Sequence, residues 1–485
     1  MSIKEATPDA SPRGVEANGV NAIDESERKG TPRQLFWPWF AANISVLGIG
    51  YGAYLLNFAV SFWQAIVVGV LGIAISFLFC GLIALAGKRG NAPTMTLGRA
   101  PFGVRGNRVP SVISWVLTVG WETALTSLAV LATETIFTEL GFAAGVPTKI
   151  VALVVIAALV VVAGILGFDF IMRLQKWITL ATAVLTVVFV ILTLQRVDFA
   201  AVAALPSGPL PSVIGGFVFM MTGFGLGWVN AAADYSRYLP RSSSSAGVVW
   251  WTTFGAALAP IILFVFGLFL AGSSTDLLGA INDNPIGALV TVVPKWFLVP
   301  FAVVAVLGLV GGSVMNIYSS GFSFLNMGVT IPRYAAATVD GVVMIAGTIY
   351  VAFFATSFIG PFQGFLITLG VPIAAWAGIF LADIQLRRTD YSTADLFDAK
   401  GRYGSVQWPT IALIVVGTMI GWGLVDNSFY AGWLGWQGYL LGPEKGAFRT
   451  DWSGANLGVL AALAIGYVGT LLFTRRTVRR QENLA

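Results

Sequence analysis

One stretch of the sequence combines an aromatic ring with a carboxylate inside an apolar run. Thr118, Trp121, Glu122 and Leu125 are spaced i, i+3, i+4 and i+7, which places them along one face of a helix. An indole stacks on flat heterocycles, and a carboxyl group hydrogen-bonds a ring N–H or an exocyclic amine. The spacing predicts that Thr118, Trp121 and Glu122 bind a planar polar solute. The alternatives are core packing for Trp121 and an interhelical hydrogen bond for Glu122.

Two apolar runs contain alternating glycines, Leu-Gly-Ile-Gly-Tyr-Gly at 47–52 and Thr-Gly-Phe-Gly-Leu-Gly at 222–227. Glycine lets the backbone leave helical angles, so both helices are predicted to break at these clusters. A break at the membrane midplane exposes carbonyls to a cation and peptide N–H groups to a polar solute. We therefore expect the first break to free carbonyls around Val46, Gly48 and Ile49, and the second to present Gly223 and Gly225 to the solute. The alternative is that the glycines only permit close helix packing.

A third cluster carries oxygen ligands. Asn316, Ser319 and Ser320 are spaced i, i+3 and i+4 near the end of another apolar run. Together with the carbonyls around Val46 to Ile49, they would supply about five hard oxygen ligands, a set that suits Na⁺. The alternative is that Ser and Asn bridge helices by hydrogen bonds.

The elements that must position these residues are membrane helices. The chain has 485 residues, of which 56% are hydrophobic and 11% charged, and no charged residue occurs between Leu35 and Gly87. A spanning helix needs about 20 apolar residues, so this run alone has room for two. The sequence predicts an all-α membrane protein with twelve spans: Leu35–Phe58, Phe62–Ala86, Val109–Phe137, Ile150–Leu166, Trp177–Leu194, Pro211–Ala233, Ala246–Ala271, Trp296–Ser320, Ala335–Ala355, Phe358–Ala382, Trp408–Val425 and Leu457–Phe473.

The distribution of Lys and Arg predicts the orientation. With the N-terminus inside, 23 of the 28 basic residues fall in cytoplasmic segments and 5 in external loops. Residues 1–34 and 475–485 are then cytoplasmic tails, with the first tail solvated, and 384–407 form a cytoplasmic linker. Because the basic residues are distributed over these loops, we expect no nucleic-acid surface and infer no obligate protein partner. The predicted location is the plasma (inner) membrane.

Several classes of chemistry are excluded by composition. The sequence has no histidine and one cysteine, Cys80, so it offers no histidine-ligated metal, no Ser-His-Asp relay and no internal disulfide. We expect a protein that is not an enzyme, needs no cofactor and binds a small molecule within the lipid bilayer. No charge ring or repeated pore element of a channel is present. A carrier driven by a coupling ion, Na⁺ or H⁺, is the favoured class.

Short motifs over most of the chain, from about Gly14 to about Arg476, resemble the nucleobase:cation symporter family, in its purine-cytosine permease branch. The order and spacing of these motifs support the resemblance more than any single motif does. The motifs are Gly14-Val15-Glu16, Gly19-Val20, Glu27-Arg28, Trp37 and Trp39 with Asn43, Pro93-Thr94, Arg99, Phe102-Gly103, Gly106-Asn107, Gly120-Trp121, the 234–240 run, Asn316, Tyr318-Ser319, Gly321 and Pro332-Arg333.

The resemblance implies a leucine-transporter-like fold: a ten-helix core over 35–383, an inverted 5+5 repeat (35–195 and 211–383) with helices one and six broken, and two peripheral helices over 408–474. It implies a nucleobase, cytosine or a purine, held between Trp121 and an aromatic residue of the sixth helix, Phe224 or Trp228. It also implies a sodium position at Asn316, Ser319 and Ser320. Thr118 and Glu122 depart from the pattern of some cytosine carriers, so allantoin, a hydantoin or an amino acid remains the alternative substrate.

Overall fold

The structure is a computed structural model that describes residues 18–355, 358–427, 432–443 and 446–483. Twelve apolar helices make up most of it, and we number them α1 to α12 in chain order. Helix α1 has two segments, α1a (Phe36–Asn43) and α1b (Leu47–Leu56). The others are α2 (Phe62–Gly90), α3 (Arg108–Glu139), α4 (Val146–Leu166), α5 (Phe168–Thr193), α6 (Leu210–Gly223), α7 (Ser245–Gly272), α8 (Leu298–Asn326), α9 (Arg333–Phe354), α10 (Ile359–Leu386), α11 (Trp408–Gly423) and α12 (Leu457–Phe473).

The described residues contain nine helices that are long and apolar enough to cross a membrane, or eleven if two bent pairs each count as one span. One bent pair is α1, whose segments meet at 66°. The other is Phe448–Ala455 with α12, bent by 68°. Helix α11 is apolar but has only 16 residues, about 24 Å at the usual rise. The chain is therefore a multi-pass membrane protein.

Local signals explain where these helices begin and end. Helix α2 starts at a capping box: the Gln64 N–H donates to Ser61 Oγ at 3.3 Å, and the Ser61 N–H donates to Gln64 Oε1 at 2.9 Å. It ends at Asn91, whose φ of 42° is left-handed and stops the helix. Inside α7, Pro260 is tolerated because neighbouring helices surround it.

The helices fall into two groups, those buried in the core and those that face the lipid. Helices α3, α6, α8 and α10 are mostly buried, whereas α4, α5 and α9 expose large apolar side chains such as Val154, Leu180 and Val342. Exposed tryptophans stand at the starts of several helices, for example Trp63 and Trp408, as expected at a membrane interface. The inner set, α1, α3, α6, α8 and α10, therefore forms the centre in which a solute would be held.

The segment before α1 contacts the bundle. The Ile23 N–H donates to the Asn91 carbonyl at 2.9 Å, and Arg28 donates to the carbonyls of Leu239 and Lys88. Both Ile23 and Arg28 are buried. Ile23 and Arg28 thus anchor this segment to the end of α2 and to Leu239, while most of residues 18–34 are exposed, as predicted for a solvated tail. The motif Gly14-Val15-Glu16 and Lys445 lie outside the described residues.

Candidate functional site

Helix α1 is broken as expected, but before the glycine cluster. The last regular bond of α1a runs from the Ile44 N–H to the Phe40 carbonyl, at 2.9 Å, and Ile44 itself is extended. Gly48, Gly50 and Gly52 are all helical in α1b. Their role is close packing: a β-carbon built on Gly52 would lie 2.3 Å from backbone atoms of α7. The alternative interpretation of this cluster therefore holds.

Two of the carbonyls expected to bind a cation make other contacts. The Val46 carbonyl accepts the Ile49 N–H at 3.0 Å. The Ile49 carbonyl lies 2.0 Å from where a β-carbon of Gly267 would be, so it faces α7. Gly48 faces the same helix, against Leu263. The Ile49 carbonyl thus faces α7, and the Val46 carbonyl takes part in the hydrogen bonding of α1b immediately after the break.

Helix α8 meets the break of α1 with glycines. A β-carbon on Gly308 would lie 3.1 Å from the Ile44 carbonyl oxygen, and one on Gly312 would lie 3.7 Å from that of Ala42. Between them, the Gly311 carbonyl accepts the side-chain amide of Gln175, from α5, at 2.7 Å. The junction of α1 and α8 therefore presents backbone carbonyls and the side-chain amide of Gln175, whose Oε1 is buried without a hydrogen bond.

Asn316, Ser319 and Ser320 lie further along α8 and point in different directions. The Asn316 side-chain amide donates to the Gly312 carbonyl at 3.0 Å, and its Oδ1 is buried without a hydrogen bond. The Ser319 hydroxyl faces Asp234, beyond the break of α6. The Ser320 hydroxyl donates to Ile317 and, at 2.8 Å, to Asp340 of α9. Ser320 is thus engaged by Asp340, whereas Asn316 Oδ1 and Ser319 Oγ are buried without a hydrogen bond, and the sodium position at these residues stays a prediction.

Helix α6 breaks where the second glycine cluster predicts. The helix ends at Gly223, Phe224 is non-helical (φ −121°, ψ −106°), and short 3₁₀ turns follow. The Gly223 carbonyl accepts the Tyr51 hydroxyl at 3.1 Å, and the Gly225 N–H donates to Ser76 Oγ at 3.0 Å. These two groups are thus engaged by α1b and α2. They hold the break open, and neither is left to bind a solute.

Trp121 lies against this break. A β-carbon on Gly227 would be 2.9 Å from Trp121 Nε1, so only glycine leaves room for the indole. Phe362 and Phe365 of α10 contact the ring edge-to-face, with centroids 5.4 and 6.3 Å away. Trp121 Nε1 is buried and has no hydrogen-bond partner. Trp121 therefore has an unsatisfied donor at the centre of the bundle, covered by α10.

Two aromatic residues follow the break on α6. Phe224 lies 4.4 Å from the Tyr51 ring, and Trp228 packs edge-to-face against Trp39 at 5.8 Å. Trp121, Phe224 and Trp228 keep 8%, 6% and 9% of their surface exposed, whereas Trp39 is fully buried. All three rings thus lie nearly buried around the break of α6. The aromatic triad of Trp121, Phe224 and Trp228 is our candidate solute site.

The remaining predicted contacts lie elsewhere. The Thr118 hydroxyl hydrogen-bonds within its own helix, to the carbonyls of Ser114 and Trp115. Glu122 is fully buried, but it interacts with Asp340 of α9 and Ser320 of α8 rather than with the triad. Adjacent helical residues point about 100° apart, so Trp121 and Glu122 contact different neighbouring residues. The expectation that both contact one heterocycle is not met in this structure.

Sequence reasoning missed several residues of this centre. Phe362 and Phe365 sit one turn apart on α10 and close over Trp121, a spacing that could have marked them. Asp340, within α9, is fully buried. Asp234 is also buried, and it accepts from the Thr94 N–H and hydroxyl at 2.8 and 2.7 Å. No local sequence signal predicts that Asp340 is buried or that Asp234 binds Thr94.

A broken α1 and α6, with aromatic rings between them inside a multi-pass bundle, define a membrane transporter. A family model described as permease for cytosine/purines, uracil, thiamine, allantoin matches residues 22–442. The chain belongs to this family, and it is a secondary transporter. The resemblance seen in the sequence is thereby confirmed.

Relatives and solved structures agree with this assignment. Purine-cytosine permease FCY2 of Saccharomyces cerevisiae is 20% identical, over 94% of this chain and 87% of its own. The hydantoin permease of Microbacterium maritypicum is 25% identical, over 84% of each. A closed structure of Mhp1, a nucleobase-cation-symport-1 family transporter with bromovinylhydantoin bound, superposes with a TM-score of 0.68 at 20% identity, covering 96% of this chain and 99% of that one. This last likeness shows the fold.

Proposed function

We propose that the protein imports a nucleobase, cytosine or a purine, together with a coupling ion, Na⁺ or H⁺, by alternating access. The observation that carries this proposal is the aromatic triad at the break of α6, with an unpartnered indole N–H at Trp121. A planar base fits between indole and phenyl faces, and its ring acceptors pair with a buried donor. Asn316 Oδ1 of α8 is a further buried and unpartnered acceptor among the inner helices.

The proposal includes a twelve-span arrangement. Counting both bent pairs and the short α11, the twelve helices run as α1 to α12, with α1–α5 and α6–α10 as inverted repeats and breaks five helices apart. Both termini are then cytoplasmic and the protein lies in the plasma (inner) membrane. No protein partner and no cofactor beyond the coupling ion is proposed.

Uptake into proteoliposomes tests the transport proposal. Labelled cytosine, adenine and hypoxanthine are offered with Na⁺ and proton gradients imposed separately, and unlabelled competitors include uracil, allantoin, hydantoins and amino acids. We expect at least one base to be accumulated against its gradient. Uptake that no gradient drives would contradict coupled transport.

A hydantoin or allantoin carrier is the second candidate. It is favoured by the hydantoin permease among the relatives and by the bound bromovinylhydantoin in Mhp1. Hydantoins are planar and carry alternating N–H and carbonyl groups, so the triad suits them too. Competition by hydantoins but not by bases would select this candidate, and competition by amino acids alone would reject both.

The topology has its own test, because Cys80 is the single cysteine and is buried. Arg196→Cys and Lys400→Cys each add one exposed thiol at predicted outer and inner positions. A membrane-impermeant maleimide applied to intact cells should label the Arg196 variant and spare the Lys400 variant. The reverse pattern would invert the proposed orientation.

A further inference from the structure

Helix α12 is followed directly by a short basic helix, α13 (Arg475–Asn483). Four of its nine residues are arginines, and all four are exposed: Arg475, Arg476, Arg479 and Arg480. We call these four residues the arginine patch. We propose that the arginine patch binds the phosphate groups of anionic phospholipids at the membrane surface. This inference is independent of the solute that the protein transports.

The four arginines lie on one side of α13. Their spacing of i, i+1, i+4 and i+5 gathers them on one face, because residues four apart are neighbours on a helix. Val478 and Gln481 lie on the opposite side, and both are buried. Formation of α13 therefore concentrates four positive charges within about 7.5 Å along the helix axis.

The buried side of α13 is attached to the end of α10. Gln481 Oε1 accepts a hydrogen bond from the Arg387 guanidinium at 2.7 Å, and this guanidinium also pairs with Asp383 of α10. Glu482 is the single acidic residue of α13, and it accepts from two backbone N–H groups of the segment after α10, at 2.6 and 2.8 Å. These contacts hold α13 in one orientation, with its acidic residue engaged by the linker and its arginines facing outward.

The arginine patch has no counter-charge within the part of the chain that the structure describes. None of its four guanidinium groups makes an ion pair or a hydrogen bond with a described residue. Three acidic residues of α10 and the following linker have other partners: Asp383 pairs with Arg387, Asp390 with Arg241, and Asp395 with Arg402. Like charges held four residues apart on a helix repel one another. The patch is therefore complementary to an anion from outside the chain.

The position of α13 indicates that this anion belongs to a lipid. The last two residues of α12, Leu472 and Phe473, are 70% and 66% exposed, and they come just before the arginine patch. Trp408, at the start of α11, is 72% exposed, and the neighbouring Thr410 lines the same small cleft as Val478 of α13. An exposed tryptophan at the end of a span is typical of the lipid headgroup level. The patch thus lies where contacts with acyl chains give way to lipid phosphates.

Arginine is suited to lipid phosphate by its geometry. Its guanidinium presents a planar fork of N–H donors that binds two phosphate oxygens at once. Its long side chain reaches the headgroup layer while the stem lies along apolar surface. Under the proposed topology, α13 faces the cytoplasmic leaflet, where anionic lipids attract basic segments. Each arginine near such a surface contributes about a factor of five in affinity, so the patch should distinguish anionic from zwitterionic lipids.

The test measures lipid binding to the full-length protein in nonionic detergent. Phosphatidylglycerol with a fluorophore on one acyl chain is the probe, and its binding is followed by fluorescence anisotropy at constant ionic strength. Unlabelled phosphatidylglycerol should displace the probe at least tenfold better than phosphatidylcholine with the same acyl chains, and inorganic phosphate at the same concentration should not displace it. Equal displacement by the two lipids, or displacement by inorganic phosphate, would overturn the assignment to anionic lipid.

Variants show whether the lipid binds at α13. Replacing all four arginines of the patch by glutamine should weaken phosphatidylglycerol binding at least tenfold. The matched control removes four exposed basic residues elsewhere on the same predicted side of the membrane, and it should keep the wild-type affinity: Lys29→Gln, Arg105→Gln, Lys176→Gln and Lys400→Gln.

Two outcomes would refute the site. An equal loss in the control would mean that only the total charge matters, and wild-type affinity in the folded patch variant would mean that these arginines do not bind lipid. If the fourfold patch variant does not fold, the double variant Arg479→Gln with Arg480→Gln takes its place. It should bind phosphatidylglycerol at least fivefold more weakly than the wild type, and an unchanged affinity would refute the site as well.

Discussion

Replacing Trp121 by alanine tests the candidate solute site most directly. The indole lies against Gly227 and under Phe362, and its Nε1 is unpartnered. Stacking of a base on an aromatic ring is worth about 1–3 kcal/mol by alanine substitution. At about 1.4 kcal/mol per tenfold change, Trp121→Ala should weaken nucleobase binding by about 5- to 140-fold.

Loss of a large buried side chain also destabilises the fold, so a matched control is needed. Trp376 of α10 is fully buried and packs against Phe380 with ring centroids 5.2 Å apart, outside the aromatic triad. Removing a packed tryptophan costs about 3–5 kcal/mol, so Trp121→Ala and Trp376→Ala should lose similar thermal stability in detergent. Only the first should lose affinity in equilibrium binding of a labelled base.

Comparing the two variants shows whether the base stacks on Trp121. Normal affinity in Trp121→Ala, or an equal loss in Trp376→Ala, would show that the base does not stack on this indole. Trp121→Phe keeps an aromatic face, so it should retain more affinity than the alanine variant. This second variant keeps the test usable if Trp121→Ala folds poorly.

Two further predictions concern the framework, and a third concerns the coupling ion. Gly52→Ala would put a β-carbon 2.3 Å from the backbone of Gly267. Because α1b and α7 would then have to separate, the yield of folded protein should fall. The control Gly279→Ala has open space around it and should not lower the yield. Arg387→Ala leaves Asp383 buried without the partner that now lies 2.7 Å away, which should cost about 3–5 kcal/mol in thermal unfolding, and adding Asp383→Asn should restore part of it. Replacing Na⁺ by choline should abolish accumulation of the base where Na⁺ is the coupling ion and should leave it unchanged where H⁺ is, as measured by uptake into proteoliposomes.

Most of the membrane architecture could be predicted from local sequence. Apolar runs near 20 residues form helices because lipid offers no other partner for the backbone, so the helices of the structure match the predicted spans closely, as at Leu457–Phe473. The break in α6 was also predictable, because Gly225 must approach the α2 backbone and no other residue fits. The break in α1 was predicted in the right helix but three residues too late, since glycines serve close packing as readily as bending.

The candidate site was only partly predictable. Trp121 could be recognised from its type and its place in an apolar run. The contacts of Glu122 could not be predicted. The spacing along a helix shows which residues share one face, but it does not show which neighbouring helix each residue contacts. Ser319 and Ser320 are a similar case: adjacent on α8, one faces Asp234 and the other Asp340.

The sequence by itself determined that this chain lies in a membrane, that two of its helices are weak at one place each, and that an indole lies near the middle of α3. These properties depend on composition and spacing within single helices. Only the tertiary structure decided that α8 meets the α1 break with glycines, that Gln175 from α5 donates into that junction, and that Glu122 and Asp340 are both fully buried. Those juxtapositions join residues far apart in the chain, and they are set by how the helices rotate and pack against one another.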